Sequence, residues 1–164
     1  MTVPSSPGGT AVARTARTLA FALVSAPLYV LVAVWFAAPE AEEDLPVLLV
    51  AATIGVVVVG WGLAQTLGYR TAPLAFGEDQ TVALQRFQTL MLLRFVLTEA
   101  PVMLGIAAAF ALPYGPWPAV VAVVVGLPAL AFHVWPSRRV VDKVATRLES
   151  GGVPSGLREA FGHR

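Results

Sequence analysis

The 164-residue chain is 57% hydrophobic and only 13% charged, whereas an ordinary soluble domain carries roughly 25% charged residues. A soluble core of this size cannot hide so many apolar side chains, so the composition indicates a second apolar phase, the lipid bilayer. The absence of cysteine excludes disulfides, thiol redox chemistry and zinc–thiolate sites.

The first thirteen residues are rich in Pro, Gly, Ser and Thr, and we expect residues 1–13 to be disordered. Four apolar runs follow, at about 18–38, 45–67, 90–112 and 117–135. At a rise of ~1.5 Å per residue each run matches a hydrocarbon core of ~30 Å, and such spans must be helical to satisfy their backbone polar groups. The sequence therefore predicts an all-α, four-helix transmembrane bundle over residues 14–136.

The first run is preceded by two arginines and followed by small residues, as in a signal peptide. A signal peptide has an apolar region of only ~7–15 residues, so we expect this longer run to be retained as a span.

Charge in the connecting segments predicts the orientation. The loop 39–44 (PEAEED) carries four acids and no base, and the loop 113–116 (PYGP) is uncharged. The basic residues assigned to the opposite side are Arg14, Arg17, Arg70, Arg86, Arg138, Arg139, Lys143 and Arg147. Because Lys and Arg are enriched on the cytoplasmic side, we expect a cell (inner) membrane protein with both termini in the cytoplasm.

The segment 68–89 is the only sizeable loop, and Asp79 is a candidate cap for a helix that begins near Gln80 and runs into the third span. After the fourth span, residues 137–164 form a cytoplasmic tail that begins with a basic amphipathic helix over 137–149. Its basic residues are Arg138, Arg139, Lys143 and Arg147. We expect this helix to lie on the anionic membrane surface as an orientation anchor, or alternatively to dock a partner.

Residues 21–28 (FALVSAPL) and 95–102 (FVLTEAPV) match at an offset of 74. The match indicates a possible 2+2 repeat of parallel hairpins, 15–67 and 89–139, although chance matches are common in apolar sequence. The aligned Pro27 and Pro101 predict a kink in each helix, because proline leaves the carbonyl four residues earlier without a donor.

Glu99 lies about nine residues into the third span, ~13 Å deep at helical rise. A carboxylate at this depth costs several kcal/mol unless it is protonated, paired or wetted, so we expect it to face the bundle interior. Its candidate partners in a proton or cation site are Ser25, Gln65 and His133. Alternatively, Glu99 only holds helices in register.

For several other polar residues and glycines we expect structural roles. We expect Arg94, five positions from Glu99, to extend to the headgroups. His133 lacks a histidine partner at metal-ligand spacing, and Gly55, Gly60 and Gly62 favour close helix packing.

The segment 54–112 resembles the hairpin of a rotary ATPase proteolipid, the ring-forming c subunit. A glycine-containing helix (IGVVVVGWGLAQTLG) precedes a polar loop with Arg70 and Pro73, and the next helix contains TEAPVMLGIAAAF. The resemblance implies an ion-carrying role for Glu99. It is local, since two further spans flank the hairpin, and the whole chain resembles uncharacterised small four-span membrane proteins of actinobacteria.

The sequence contains no P-loop, dinucleotide glycine pattern, HExxH or nucleophile elbow, so we expect no enzyme activity and no cofactor or metal. It predicts a non-enzymatic membrane component that binds other membrane proteins or itself. The expected partners include the lipid bilayer but no nucleic acid. The alternative is an oligomeric proton- or cation-coupled transport unit centred on Glu99.

Overall fold

The computed structural model describes residues 7–163, without the side chains of residues 7–10 and 12, and this part of the chain is helical with no strand. Its helices are α1 (Pro7–Ala37), α2 (Val47–Thr66), α3 (Gln80–Ala111), α4 (Trp117–Val134), α5 (Arg138–Leu148) and α6 (Leu157–Ala160), with a 3-10 turn at Glu149–Gly151. The helices α1 to α4 are each long and apolar enough to span a membrane. The prediction of four apolar helices in an all-α fold is therefore confirmed.

Helix α1 begins earlier than the composition indicated. It starts at Pro7, so residues 7–13 are helical and not disordered, while residues 1–6 lie outside the described part. The early start has a packing reason, because Ala13 and Ala16 are buried against other parts of the chain.

Helix α3 begins at Gln80, as expected, because Asp79 accepts hydrogen bonds from the backbone N–H groups of Thr81 (3.0 Å) and Val82 (3.2 Å). At 32 residues it is about 48 Å long and exceeds a ~30 Å hydrocarbon core. It therefore contributes to two separate groups of buried side chains.

Helices α3 and α4 form the centre of the bundle, and α1 and α2 pack on this pair while making almost no contact with each other. Glycine permits the close central packing, since a Cβ at Gly105 would collide with Ala122 and one at Gly126 would collide with Val102. The two hairpins proposed from the sequence repeat thus differ in packing, because α3 lies on α4 whereas α1 does not lie on α2.

The aligned prolines lie inside continuous helices, Pro27 in α1 and Pro101 in α3. A Cβ at Gly60 of α2 would stand 2.7 Å from the Leu97 carbonyl oxygen and 2.8 Å from Pro101 Cγ. The carbonyl left without a helical donor by Pro101 therefore lies at a close contact between α2 and α3. In contrast, Gly55 and Gly62 have open space around them, so only one of the three glycines serves this contact.

The loops 38–46 and 112–116 lie together at one end of the bundle. The Pro113 carbonyl oxygen accepts hydrogen bonds from the backbone N–H groups of Glu42 (2.9 Å) and Glu43 (3.1 Å). We call this the acidic end, and the opposite end, which carries α5, the α5 end.

Helix α5 does not leave its apolar face free for a membrane. Its buried residues pack with the first turns of α3, with α6 and with the beginning of α1; they are Val140, Val141, Val144, Ala145 and Leu148. The sequence predicted a membrane-surface or partner contact for this face, but the face instead lies in a protein core. That core is closed by ion pairs of Arg158 with Glu149 (2.5 Å) and Asp142 (3.1 Å).

Candidate functional site

Arg94 is completely buried, contrary to the expectation that it extends to the headgroups. Its Nε donates to the His133 carbonyl oxygen at 2.8 Å, and its Nη1 donates to the Gly68 carbonyl oxygen at 3.0 Å. Both carbonyls lie at the C-terminal ends of helices, α4 and α2, where backbone oxygens lack helical donors and the helix dipole favours a cation. The guanidinium therefore joins three helices without a carboxylate partner.

Tyr69 lies directly beside this arginine. The Arg94 guanidinium carbon is 4.6 Å from the Tyr69 ring centroid, and the Tyr69 hydroxyl hydrogen bonds His133 Nδ1 at 3.3 Å. Burial raises the pKa of Tyr69, which the positive charges of Arg94 and Arg139 offset only in part. Tyr69 is therefore a neutral hydroxyl at physiological pH, stacked on a cation.

Lys143 approaches the same tyrosine from α5. Its Nζ is 3.9 Å from the Tyr69 ring centroid and donates to Gln65 Oε1 at 3.1 Å. Burial lowers the pKa of Lys143, and the neighbouring charges of Arg139, Arg147 and Arg94 lower it further. The lysine thus lies in an environment with an excess of positive charge.

Arg139 completes this group, with its guanidinium carbon 4.1 Å from the Phe132 ring centroid. We call the set Gln65, Tyr69, Arg94, His133, Arg139 and Lys143 the basic cluster. Among the described residues, none of its three cations has an ion pair with a carboxylate. Three acids of this end form ion pairs outside the cluster: Glu78 with Arg86, and Asp142 and Glu149 with Arg158.

Two buried polar atoms of the basic cluster, Arg94 Nη2 and His133 Nε2, have no hydrogen-bond partner in the described structure. Buried donors and acceptors are normally paired, so this cluster combines uncompensated charge with unsatisfied hydrogen-bonding capacity. These properties suit recognition of an anion rather than of a metal ion. Within residues 7–163, moreover, no three His, Asp or Glu side chains are grouped to hold a metal.

Glu99 lies apart from this cluster and does not face the interior. It is half-buried and shares one helical face with exposed apolar residues of α3. We call this face the α3 stripe: Leu92, Val96, Glu99, Met103 and Phe110. In the described structure Glu99 has no hydrogen bond or ion pair, and the other residues of the stripe are all apolar.

The predicted ion-site residues consequently separate into two groups. Gln65 and His133 come together in the basic cluster through Lys143 and Tyr69. The Ser25 hydroxyl donates to the Ala22 carbonyl oxygen of its own helix at 3.1 Å, and no bond joins it to Glu99.

The four basic residues assigned to the membrane surface also separate. Arg139 and Lys143 belong to the basic cluster, whereas Arg138 and Arg147 lie outside it on α5.

Sequence reasoning missed Arg94 and Tyr69. A signal for Arg94 was present, since Phe87, Met91, Arg94 and Thr98 recur at helical spacing along one face of α3. Tyr69 follows the second apolar run, and no local sequence pattern distinguishes a tyrosine at the membrane interface from a buried one.

Comparison with known proteins adds no relative: no family model, curated protein or solved structure matches the chain.

Proposed function

We propose that the protein is a multi-pass component of the cell (inner) membrane with both termini in the cytoplasm, and that it binds other membrane proteins or its own copies without catalysing a reaction. The observation that carries the binding proposal is Glu99, an unpartnered carboxyl group in the middle of the exposed α3 stripe.

The charge distribution supports the membrane placement. Glu40, Glu42, Glu43 and Asp44 all lie at the acidic end, and the two loops of that end contain no Lys or Arg. The basic residues of the connecting segments and of α5 lie at the α5 end. The enrichment of Lys and Arg on the cytoplasmic side of membrane proteins supports a cytoplasmic location for this end.

The lack of cysteine allows a direct test of this topology. Exposed positions at the two ends, Glu43→Cys and Thr146→Cys, are labelled in intact cells with a membrane-impermeant maleimide. We expect labelling of Glu43→Cys in intact cells and of Thr146→Cys only after permeabilisation. The reverse pattern would overturn the orientation, and labelling of both positions in intact cells would overturn the four spans.

The α3 stripe supports the binding proposal. A carboxyl group exposed to hydrocarbon costs several kcal/mol, and the cost falls when a polar group from another helix pairs with it. Apolar residues on either side of Glu99, at Val96 and Met103, provide the packing surface around such a pair. Interhelical hydrogen bonds flanked by packed side chains are a common means of helix association in membranes.

The alternative function, a proton- or cation-coupled transport unit, uses the same carboxyl group. Its support is that Glu99 is ionisable, lies within an apolar span and is reachable from the outer surface of the bundle. A transport path would then form between copies that meet at the α3 stripe.

One experiment separates the two functions. Wild type, Glu99→Gln and Glu99→Leu are reconstituted, and crosslinking mass and proton flux are measured on each. If the binding proposal is correct, Glu99→Gln retains the assembly, because the amide still forms hydrogen bonds, and Glu99→Leu weakens it. None of the three proteins then conducts protons. Flux that Glu99→Gln abolishes would favour transport, and equal assembly of all three proteins would remove Glu99 from the interface.

A further inference from the structure

We propose that the protein binds one anionic phospholipid on the side opposite α1, with an acyl chain in the groove between α2 and α4 and the phosphate at Arg139 and Lys143. This site is separate from the α3 stripe, and it is independent of what Glu99 binds.

The apolar part of the site is a groove of about 240 Å³ on the outer surface of the α2–α4 contact. It is lined almost entirely by carbon, with Val57, Val58 and Trp61 on α2 and Pro128 and Phe132 among the residues on α4. Trp61 and Phe132 meet edge to face at 5.8 Å between ring centroids. The groove therefore offers a hydrocarbon chain a complementary wall within the apolar length of both helices.

The groove leads toward the basic cluster at the α5 end. Gln65 follows Trp61 by one helical turn of α2 and accepts from Lys143 at 3.1 Å. On the α4 side, the Arg139 guanidinium lies over Phe132, the last groove residue of that helix. One cation is thus anchored at the end of each wall.

Charge complementarity identifies the headgroup. Neither Arg139 nor Lys143 has a carboxylate partner among the described residues, and the buried charge of Arg94 adds to their field. A phosphodiester supplies a negative charge and several acceptor oxygens, and guanidinium and ammonium groups recognise both. Basic pockets between membrane helices at the cytoplasmic face commonly bind anionic lipids in this way.

The combination of groove and charge favours a lipid over a free anion. Inorganic phosphate would use the two cations but leave the apolar wall uncovered, and a zwitterionic lipid would cover the wall while bringing its own cation toward Arg139. Only an anionic amphiphile matches both ends of the site.

The test uses native mass spectrometry of the detergent-solubilised full chain with phosphatidylglycerol and phosphatidylcholine of identical acyl chains. The double variant Arg139→Gln/Lys143→Gln removes the headgroup contacts. The control Arg14→Gln/Arg138→Gln removes the same charge at exposed positions of the same end. A third variant, Val58→Trp, fills the groove from an exposed position and leaves every charge in place.

We expect wild type to retain phosphatidylglycerol in preference to phosphatidylcholine. The Arg139→Gln/Lys143→Gln variant should weaken phosphatidylglycerol binding about 30-fold, given the contribution of each basic residue at an anionic lipid, and the control less than about threefold. Val58→Trp should weaken binding of both lipids.

Three results would overturn the proposal: equal retention of the two lipids by wild type, equal loss in the double variant and its control, or unchanged binding in Val58→Trp. Thermal stabilisation by inorganic phosphate alone that equals stabilisation by phosphatidylglycerol would assign the cations to a free anion instead.

Discussion

Arg94 Nε donates a 2.8 Å hydrogen bond to the carbonyl oxygen of His133, and this bond ties the middle of α3 to the last turn of α4. Because α2 ends beside the same guanidinium, one side chain satisfies backbone oxygens of two different helices. A buried arginine without an acid partner is thus accounted for by helix ends rather than by an ion pair.

Arg94→Met should destabilise the fold by about 2–4 kcal/mol, because it leaves two buried carbonyls without donors. Arg94→Lys keeps the charge but cannot bond both oxygens with the same planar fork, so its loss should be intermediate. Thermal unfolding in detergent measures both, with Arg138→Met as the exposed control. An Arg94→Met protein as stable as wild type would contradict this role.

Tyr69 combines a hydroxyl contact with a ring contact, and two variants separate them. Tyr69→Phe loses only the hydrogen bond to His133 and should cost about 1 kcal/mol. Tyr69→Leu also loses the ring that lies between Arg94 and Lys143, so it should cost about 1–2 kcal/mol more. Denaturation of the two variants under one condition gives the difference; equal losses would mean that the cation–ring contacts contribute nothing.

Gly60 and Gly55 form a matched pair within α2. Alanine is better than glycine in a helix by about 1 kcal/mol, so Gly55→Ala, which meets open space, should be neutral or stabilising. Gly60→Ala places a methyl group against the Leu97 carbonyl and Pro101 and should destabilise by about 1–3 kcal/mol. Comparison of the two melting temperatures is the measurement, and a stabilising Gly60→Ala would show that α2 packs less closely on α3.

The core that α5 and α6 form with the beginnings of α1 and α3 should lose stability in acid because of Glu149. Burial alone would raise the pKa of Glu149, but hydrogen bonds from Ser155 and Arg158 hold its pKa below the usual range. A lowered folded-state pKa means that its stabilisation is complete above the unfolded-state value, about 4.3, and is lost as the pH falls through the folded-state value.

Hydrogen exchange of residues 149–161 between pH 6 and pH 3 measures this effect. We expect protection to fall in wild type as the carboxylate is protonated, whereas Glu149→Gln should have weak protection at every pH. Glu159→Gln, an exposed acid on the neighbouring turn, is the control. A wild-type profile that matches Glu149→Gln would exclude Glu149 as the titrating group.

The four long apolar helices could be predicted because run length and composition alone determine them. Which faces of α3 are buried and which are exposed could not be predicted. A separation of five residues places Arg94 and Glu99 about 140° apart, and the sequence correctly predicts different faces. Because a charge in hydrocarbon is costly, the sequence favours Glu99 in the bundle interior and Arg94 near the headgroups. In the structure Arg94 is buried in the interior, and Glu99 lies on the outer surface. Helix C-termini brought together by tertiary packing make the interior suitable for a cation, and single-helix reasoning cannot include them.

The sequence correctly predicts that α5 is an amphipathic helix. The surface that its apolar face contacts was predicted incorrectly. An apolar face such as Val140, Val144 and Leu148 is compatible with lipid or with a protein core, because both bury carbon. The protein surface that covers it comes from the first turns of α3, the beginning of α1, and α6, and the sequence pattern of α5 alone does not contain this packing.

Arg17 donates from Nη2 to the Phe161 carbonyl oxygen at 2.7 Å, so a residue of α1 is held by one synthesised 144 positions later. The helix that is synthesised before α2, α3 and α4 therefore gains this contact only after all three have been synthesised. Until residue 161 has been synthesised, α1 lacks this hydrogen bond. The order of synthesis and the order in which this contact forms are therefore opposite, and a chain that ends before residue 157 should leave the beginning of α1 more accessible to crosslinking than the full chain does.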